Sequence, residues 1–295
     1  MQSERGQGTV EWIGLVLLIS LAMLALVAAG VRVPGAPLAR ALADRIICAA
    51  ALVDGCGDQP VLIATYGTEV GELVRRHMPT LAFEKGSKAL PVDFRRCRHS
   101  ECSDGPGEGS VHRTDHGLPV TAFVHVVDCR EGEAERTEAE GADCSGGRAG
   151  NLYLQYWTYY ADSATLRGIP VVGRKGYHAD DWESVQFRFR PDGHVDQRAS
   201  SHHGHNHSRG IGNWGSDAGV VERDGWGPAT GYLFVSGGSH AGNAIGFPEV
   251  TRFTPGHRVH LIPLEPIAAT STARFAVTPP WLKKVWHDPE AHGTS

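Results

Sequence analysis

The chain has 295 residues, with 41% hydrophobic and 21% charged side chains, a composition that excludes wholesale disorder. A net charge of −5 supplies no general electrostatic reason to bind nucleic acid. The 37 glycines exceed ordinary usage and point to a turn-rich, β-rich body.

In chain order, the first element is an uncharged apolar run, Trp12 to Ala29. As a helix it would reach ~27 Å, enough for a bilayer core. Upstream, Gly6 and Glu11 stand five residues apart without a basic cluster. This segment resembles the class III leaders of Flp-type pilins and TadE-like pseudopilins. The resemblance implies cleavage after Gly6 and makes Glu11 the fifth mature residue. It also implies a pilus or secretion apparatus as a partner. The alternative is a plain uncleaved signal anchor. Both place a single-pass transmembrane helix at 1–30, with the own membrane as partner and the bulk of the chain extracytoplasmic or at the cell surface.

All six cysteines follow that span, and an even count in exported sequence predicts disulfides. Loop-bracketing neighbours give the local scheme Cys48–Cys56, Cys97–Cys102 and Cys129–Cys144. The absence of a CxxC pair argues against a zinc ribbon.

Residues 31–78 read as a helical neck: 37–53 has helical period, and 68–77 begins at Thr68 as N-cap and ends in basic residues before Pro79. From residue 79 short β-like runs take over, clearest at 121–127, 152–160, 182–189, 231–236 and 257–264. The acidic loop 130–150 reads as mobile. Strands without intervening long helices predict a mainly β head at 79–286, an antiparallel two-sheet sandwich, followed by a loose tail at 287–295.

The chemistry concentrates in 178–189. Strand alternation puts Val185, Phe187 and Phe189 on one face, and the same parity carries Asp181 and Glu183 onto it. Carboxylates at the end of an apolar stripe need a cation or hydrogen-bond donors. His178 stands beside them. A strand beginning only at Glu183 would instead leave Asp181 in a solvated turn and free Glu183 to pair with an arginine.

His178-x-x-Asp181-Trp182-Glu183 resembles the signature of two related groups, the necrosis- and ethylene-inducing-peptide-like proteins and the vacuolar protein sorting sixty-two-related family. An upstream aromatic strand through Trp157, Tyr159 and Asp162 and a later Gly238-Ser239-His240-Ala241 recur in the same order. The resemblance implies a β-sandwich holding a divalent metal (Mg, Ca or Mn) through Asp162, His178, Asp181 and Glu183. Two departures stand out: Asp180 replaces the second motif histidine, and the spacing from Asp162 to His178 is longer. Trp157, Tyr159, His202, His203 and His240 are candidate pocket-lining residues.

The reading of function is a membrane-anchored exported binding module presenting the cation to a polar glycan or lipid headgroup. Its rivals are a metal-dependent hydrolase of phosphate or glycosidic bonds and a pseudopilin-like structural subunit. No catalytic residue is assigned. Nucleophile-elbow, P-loop, metalloprotease and dinucleotide motifs are all missing from the sequence.

Overall fold

The computed structural model describes residues 59–85, 87, 89–98, 102, 117–164, 177–201, 204–207, 225–246 and 250–292. The expected leader at Gly6 and Glu11, the span at 12–29, the Cys48–Cys56 pair, and His202 and His203 lie outside them. No helix among the described residues is long and apolar enough to cross a membrane.

Helix α1 (Gln59–His77) is interrupted at Gly67, whose φ of 79° and ψ of 167° are non-helical. A side chain at that φ is strained, so glycine suits the break. The expected 68–77 helix is thus the second half of a longer element, with Gly67 rather than Thr68 in the cap position. Arg75, Arg76 and His77 occupy its last turn, where cations complement the helix dipole. Its apolar face, Leu62, Val70 and Val74, is buried in the main core. The Tyr156 hydroxyl donates to the Val74 carbonyl at 2.7 Å, so the helix is bonded to the sheet as well as packed on it.

The rest is mainly β. Four strands, β1 (Thr80–Glu84), β8 (Tyr232–Val235), β9 (Gly242–Asn243) and β10 (Val250–Thr254), form one sheet in the order β10-β1-β8-β9. The second sheet runs β11-β2-β3-β4-β5-β6, with β7 (Gly227–Pro228) paired to β5. Its strands are β2 (Thr121–Asp128), β3 (Leu152–Ala164), β4 (Tyr177–Phe189), β5 (Val195–Ser201), β6 (Gly204–Asn206) and β11 (His260–Pro263). The long antiparallel β3–β4 pair is its spine.

The expectation of antiparallel sheets is corrected at two places. β1 runs parallel to β8, and β11 runs parallel to β2, so both sheets are mixed. Each parallel partner is supplied by a distant part of the chain, where local turn signals say nothing about direction.

Alternation along β3 and β4 separates two cores. Leu154, Tyr156, Tyr160, Val185 and Phe187 face the first sheet and pack with Leu81, Phe83, Leu233 and Val235. Phe189 is only partly buried at the edge of this cluster. Trp157, Tyr159 and Trp182 face the other way, into a second core with Phe94, Phe123, Leu264, Val285 and Trp286. Segments 89–98 and 264–291 cover that face. The short helices α3 (Glu265–Thr270) and α4 (Lys284–His287) lie within the second of them.

The 130–150 loop is ordered rather than mobile. It carries α2 (Ala134–Ala139) and is tied by Cys129–Cys144, while Cys97–Cys102 cross-links the loop after Phe94. Breaking a cross-link that closes 15 residues should cost about 3 kcal/mol. The double variant Cys129→Ser with Cys144→Ser is therefore expected to melt several degrees lower in non-reducing buffer. An unchanged melting point would show that the loop is held by its other contacts.

The chain end is not loose through His292. Arg198, 1% exposed, donates to the carbonyls of Pro289 (2.6 Å) and Ala291 (2.9 Å) and to Gln186 Oε1 (3.0 Å).

Candidate functional site

At the far end of the β3–β4 pair, apolar side chains give way to acids. Register sets Thr158 opposite Glu183, Tyr160 opposite Asp181, and Asp162 opposite Ala179. Opposed residues share a face, so Asp162, Asp181 and Glu183 continue the stripe of Tyr156, Val185 and Phe187. The strand begins well before Glu183, at Tyr177, which removes the solvated-turn alternative for Asp181. Glu183 is partly buried and finds a hydroxyl rather than an arginine, with Ser200 Oγ donating to Glu183 Oε2 at 2.5 Å.

The first sheet completes the rim. Its β8–β9 turn places His240, a non-glycine residue at φ 55°, against Asp181, with Nδ1 to Oδ2 at 2.7 Å. The imidazole stacks on Tyr160 with centroids 3.9 Å apart and planes 8° from parallel. Ser163 Oγ donates to the Gly238 carbonyl at 3.3 Å, fixing the turn to β3. His178 is partly exposed, and its Nδ1 lies 2.8 Å from the Asp180 carbonyl.

Electrostatics here are dominated by desolvation, which penalises whichever form is charged. Burial, reinforced by Asp162, pushes the Asp181 carboxyl up to about 7 against the opposing influence of His178 and Lys283. Burial and then the Asp181 charge also raise Glu183. Burial pulls His240 down to about 3, although Asp162 favours its cation. Burial likewise lowers the Lys283 ammonium, which lies in the field of both acids.

Asp180, next in the chain, belongs to the opposite face. At φ 56° it is held in the left-handed region, where non-glycine residues are uncommon. Its carboxylate accepts from the Tyr159 hydroxyl at 2.6 Å and the Ala276 amide at 2.7 Å, and Arg98 Nε lies 3.5 Å away. Burial and this carboxylate push the Tyr159 phenol upward. Asp180, read from the sequence only as a departure from a motif, is a structural anchor.

Of the predicted site residues, Asp162, Asp181 and Glu183 share one face, and His240 joins them through Asp181. His178, paired with Ser163, instead sits on the alternate register and bonds to the Asp180 carbonyl, its charge still reaching Asp181. Trp157 and Tyr159 do not line it. They are 1% and 0% exposed within the second core, because their odd parity turns them away from the acids. Trp182 is buried with them, so none of the three offers a face on which a sugar could stack. Ser200 and Lys283 were not legible as site residues, since neither lies in a motif and Lys283 arrives from the chain end.

Oxygen donors of the kind supplied by Asp162, Asp181 and Glu183 suit a hard divalent cation. Among the described residues, no group of three or more His, Cys, Asp or Glu side chains is arranged to hold a metal ion. The pairs formed instead are Asp181–His240 and Glu183–Ser200.

No family model matches the chain, and no curated protein matches it. Similar solved structures include "NLPPya in complex with mannosamine" and "NLPPya in complex with glucosamine". Each is 15% identical, with a TM-score of 0.38, and the match covers 73% of this chain and 86% of that one. "Toxin fold as basis for microbial attack and plant defense" is 16% identical over 74% of this chain and 87% of that one, with a TM-score of 0.41.

Proposed function

We propose that the protein is a surface binding module, anchored through residues 12–29, whose acidic rim takes a divalent cation and with it a polar headgroup such as a glycan or lipid head. Asp162, His178, Asp181 and Glu183 would hold the ion, with Mg, Ca or Mn favoured by the oxygen-rich set. When bound, the ion would supply the charge that offsets the buried acids and an open coordination position for ligand hydroxyls. The observation that carries this reading is the gathering of Asp162, Asp181 and Glu183 at one end of an otherwise apolar face.

The chain's own residues define what the rim can do. His240 and Ser200 orient Asp181 and Glu183 through single hydrogen bonds, and Tyr160 closes the apolar side. His240, neutral at physiological pH, can move a proton to or from Asp181 but is enclosed with it. This favours binding over turnover.

The test is a thermal melt of the detergent-solubilised full chain with chelator, then with Mg²⁺, Ca²⁺ or Mn²⁺. At a metal concentration 100 times Kd the expected stabilisation is about 2.7 kcal/mol, a rise of several degrees. Asp181→Asn with Glu183→Gln should remove that rise while leaving the chelated protein at least as stable. An equal rise in the double variant would refute the site. Glucosamine and mannosamine serve as first sugar probes, with and without metal.

A further inference from the structure

We propose that the cleft between residues 94–98 and 266–273 binds a small amphiphilic anion, an apolar ring or chain ending in a phosphate, sulfate or carboxylate. The cleft is an open depression of about 570 Å³, with room for a small molecule that stays partly in contact with water. It lies on the second-core side of the large sheet, away from the acidic rim.

Its walls divide by chemistry. Arg95 and Arg98 supply two guanidinium groups, Ser271 and Thr272 supply hydroxyls, and Phe94 and Ile267 supply apolar surface. None of the described lining residues is acidic. Each guanidinium already faces a carboxylate of the protein, Asp93 for Arg95 and Asp180 for Arg98, and Arg98 also donates to the Arg274 carbonyl. The unused donors of such forks suit planar or tetrahedral oxyanions.

Both arginines are fixed in advance. Asp93 engages Nε and Nη2 of Arg95 at 2.9 and 2.7 Å, and this leaves Nη1 for a ligand. The Arg95 side chain remains 46% exposed. Arg98 lies over the Phe275 ring at 4.3 Å and faces Asp180 at 3.5 Å. The Cys97–Cys102 bridge closes the loop that carries Arg98 and anchors the chain just after Arg95. Such preorganisation lowers the entropy lost on binding. The apolar half of the cleft then selects against a bare inorganic ion, whose hydration it cannot replace.

Isothermal titration of the full-length protein with phenyl phosphate, inorganic phosphate and phenol tests the proposal. Phenyl phosphate should bind at least tenfold tighter than either fragment. Arg95→Gln should weaken it tenfold or more. Thr272→Asp, which places a repelling charge on an exposed position without touching the core, should abolish binding. Asp181→Asn with Glu183→Gln at the acidic rim should leave the affinity unchanged, so this site and the cation site fail independently. The proposal is overturned by no binding of phenyl phosphate or by equal affinity for phenol or inorganic phosphate. Full affinity in both cleft variants, or loss in the rim variant, would overturn it too.

Discussion

Arg198→Met should lower the melting temperature by roughly 10 °C, the largest effect expected of any single substitution. The guanidinium is 1% exposed and bonds Gln186, Pro289 and Ala291, and it also sits 4.3 Å over the Trp226 ring. Burial pulls it down to about 10, which still leaves it charged at neutral pH. Methionine matches much of its volume but strands three buried acceptors. Removing one member of a buried charged network costs about 3–5 kcal/mol, and each kcal/mol moves a domain of this size by roughly 2–4 °C. Lysine should not rescue, because a single ammonium cannot reproduce the fork. Thermal melts of both variants, with proteolysis of the chain end as a second readout, decide the matter. A loss below 1 kcal/mol would mean that the 288–292 segment is held elsewhere.

The Asp181–His240 pair should give two variants with opposite pH dependences. In the native protein at about pH 5.5, Asp181 is protonated and His240 neutral, so the pair holds one proton. In the unfolded chain the carboxylate is ionised and the imidazole charged, again one proton. Equal proton counts give no slope, and between about pH 4.5 and 6 the pair is silent in the wild type. Asp181→Asn exposes the histidine alone. Its folded pKa is depressed, so its stability is present at higher pH and lost as pH falls. His240→Gln exposes the carboxyl alone. Its folded pKa is raised, so its stability is present at low pH and lost as pH rises towards 7. Each slope should approach 1.4 kcal/mol per pH unit, with opposite sign. Urea midpoints at several pH values measure them, and parallel curves for the two variants would contradict the assigned protonation states.

Parity made much of the second sheet readable. Val185 and Phe187 identify the inward face of β4, and counting back by twos reaches Glu183 and Asp181 without any knowledge of the partner strand. The same rule, applied to β3, separates Tyr156 and Tyr160 from Trp157 and Tyr159. Aromatic character alone had made Trp157 and Tyr159 candidates for the pocket. What parity cannot supply is a partner from far away. His240 reaches Asp181 across 59 residues and Arg198 reaches Ala291 across 93. Arg198 looks in sequence like any solvated strand charge. The parallel placement of β1 and β11 was equally hidden, because strands of five and four residues carry no signal of direction.

That placement has a consequence for biosynthesis. β1 needs β8 and β10, and β2 needs β11, so the first sheet cannot be completed until the ribosome has passed residue 254, nor the second until it has passed residue 263. Until then the greasy strands 80–84 and 121–128 each present an open edge, in a topology whose distant pairings form slowly. The sequential antiparallel strands β2 to β5 can pair as they emerge, but each sheet gains its distant partners late, and chaperone occupancy should fall only as the last strands emerge.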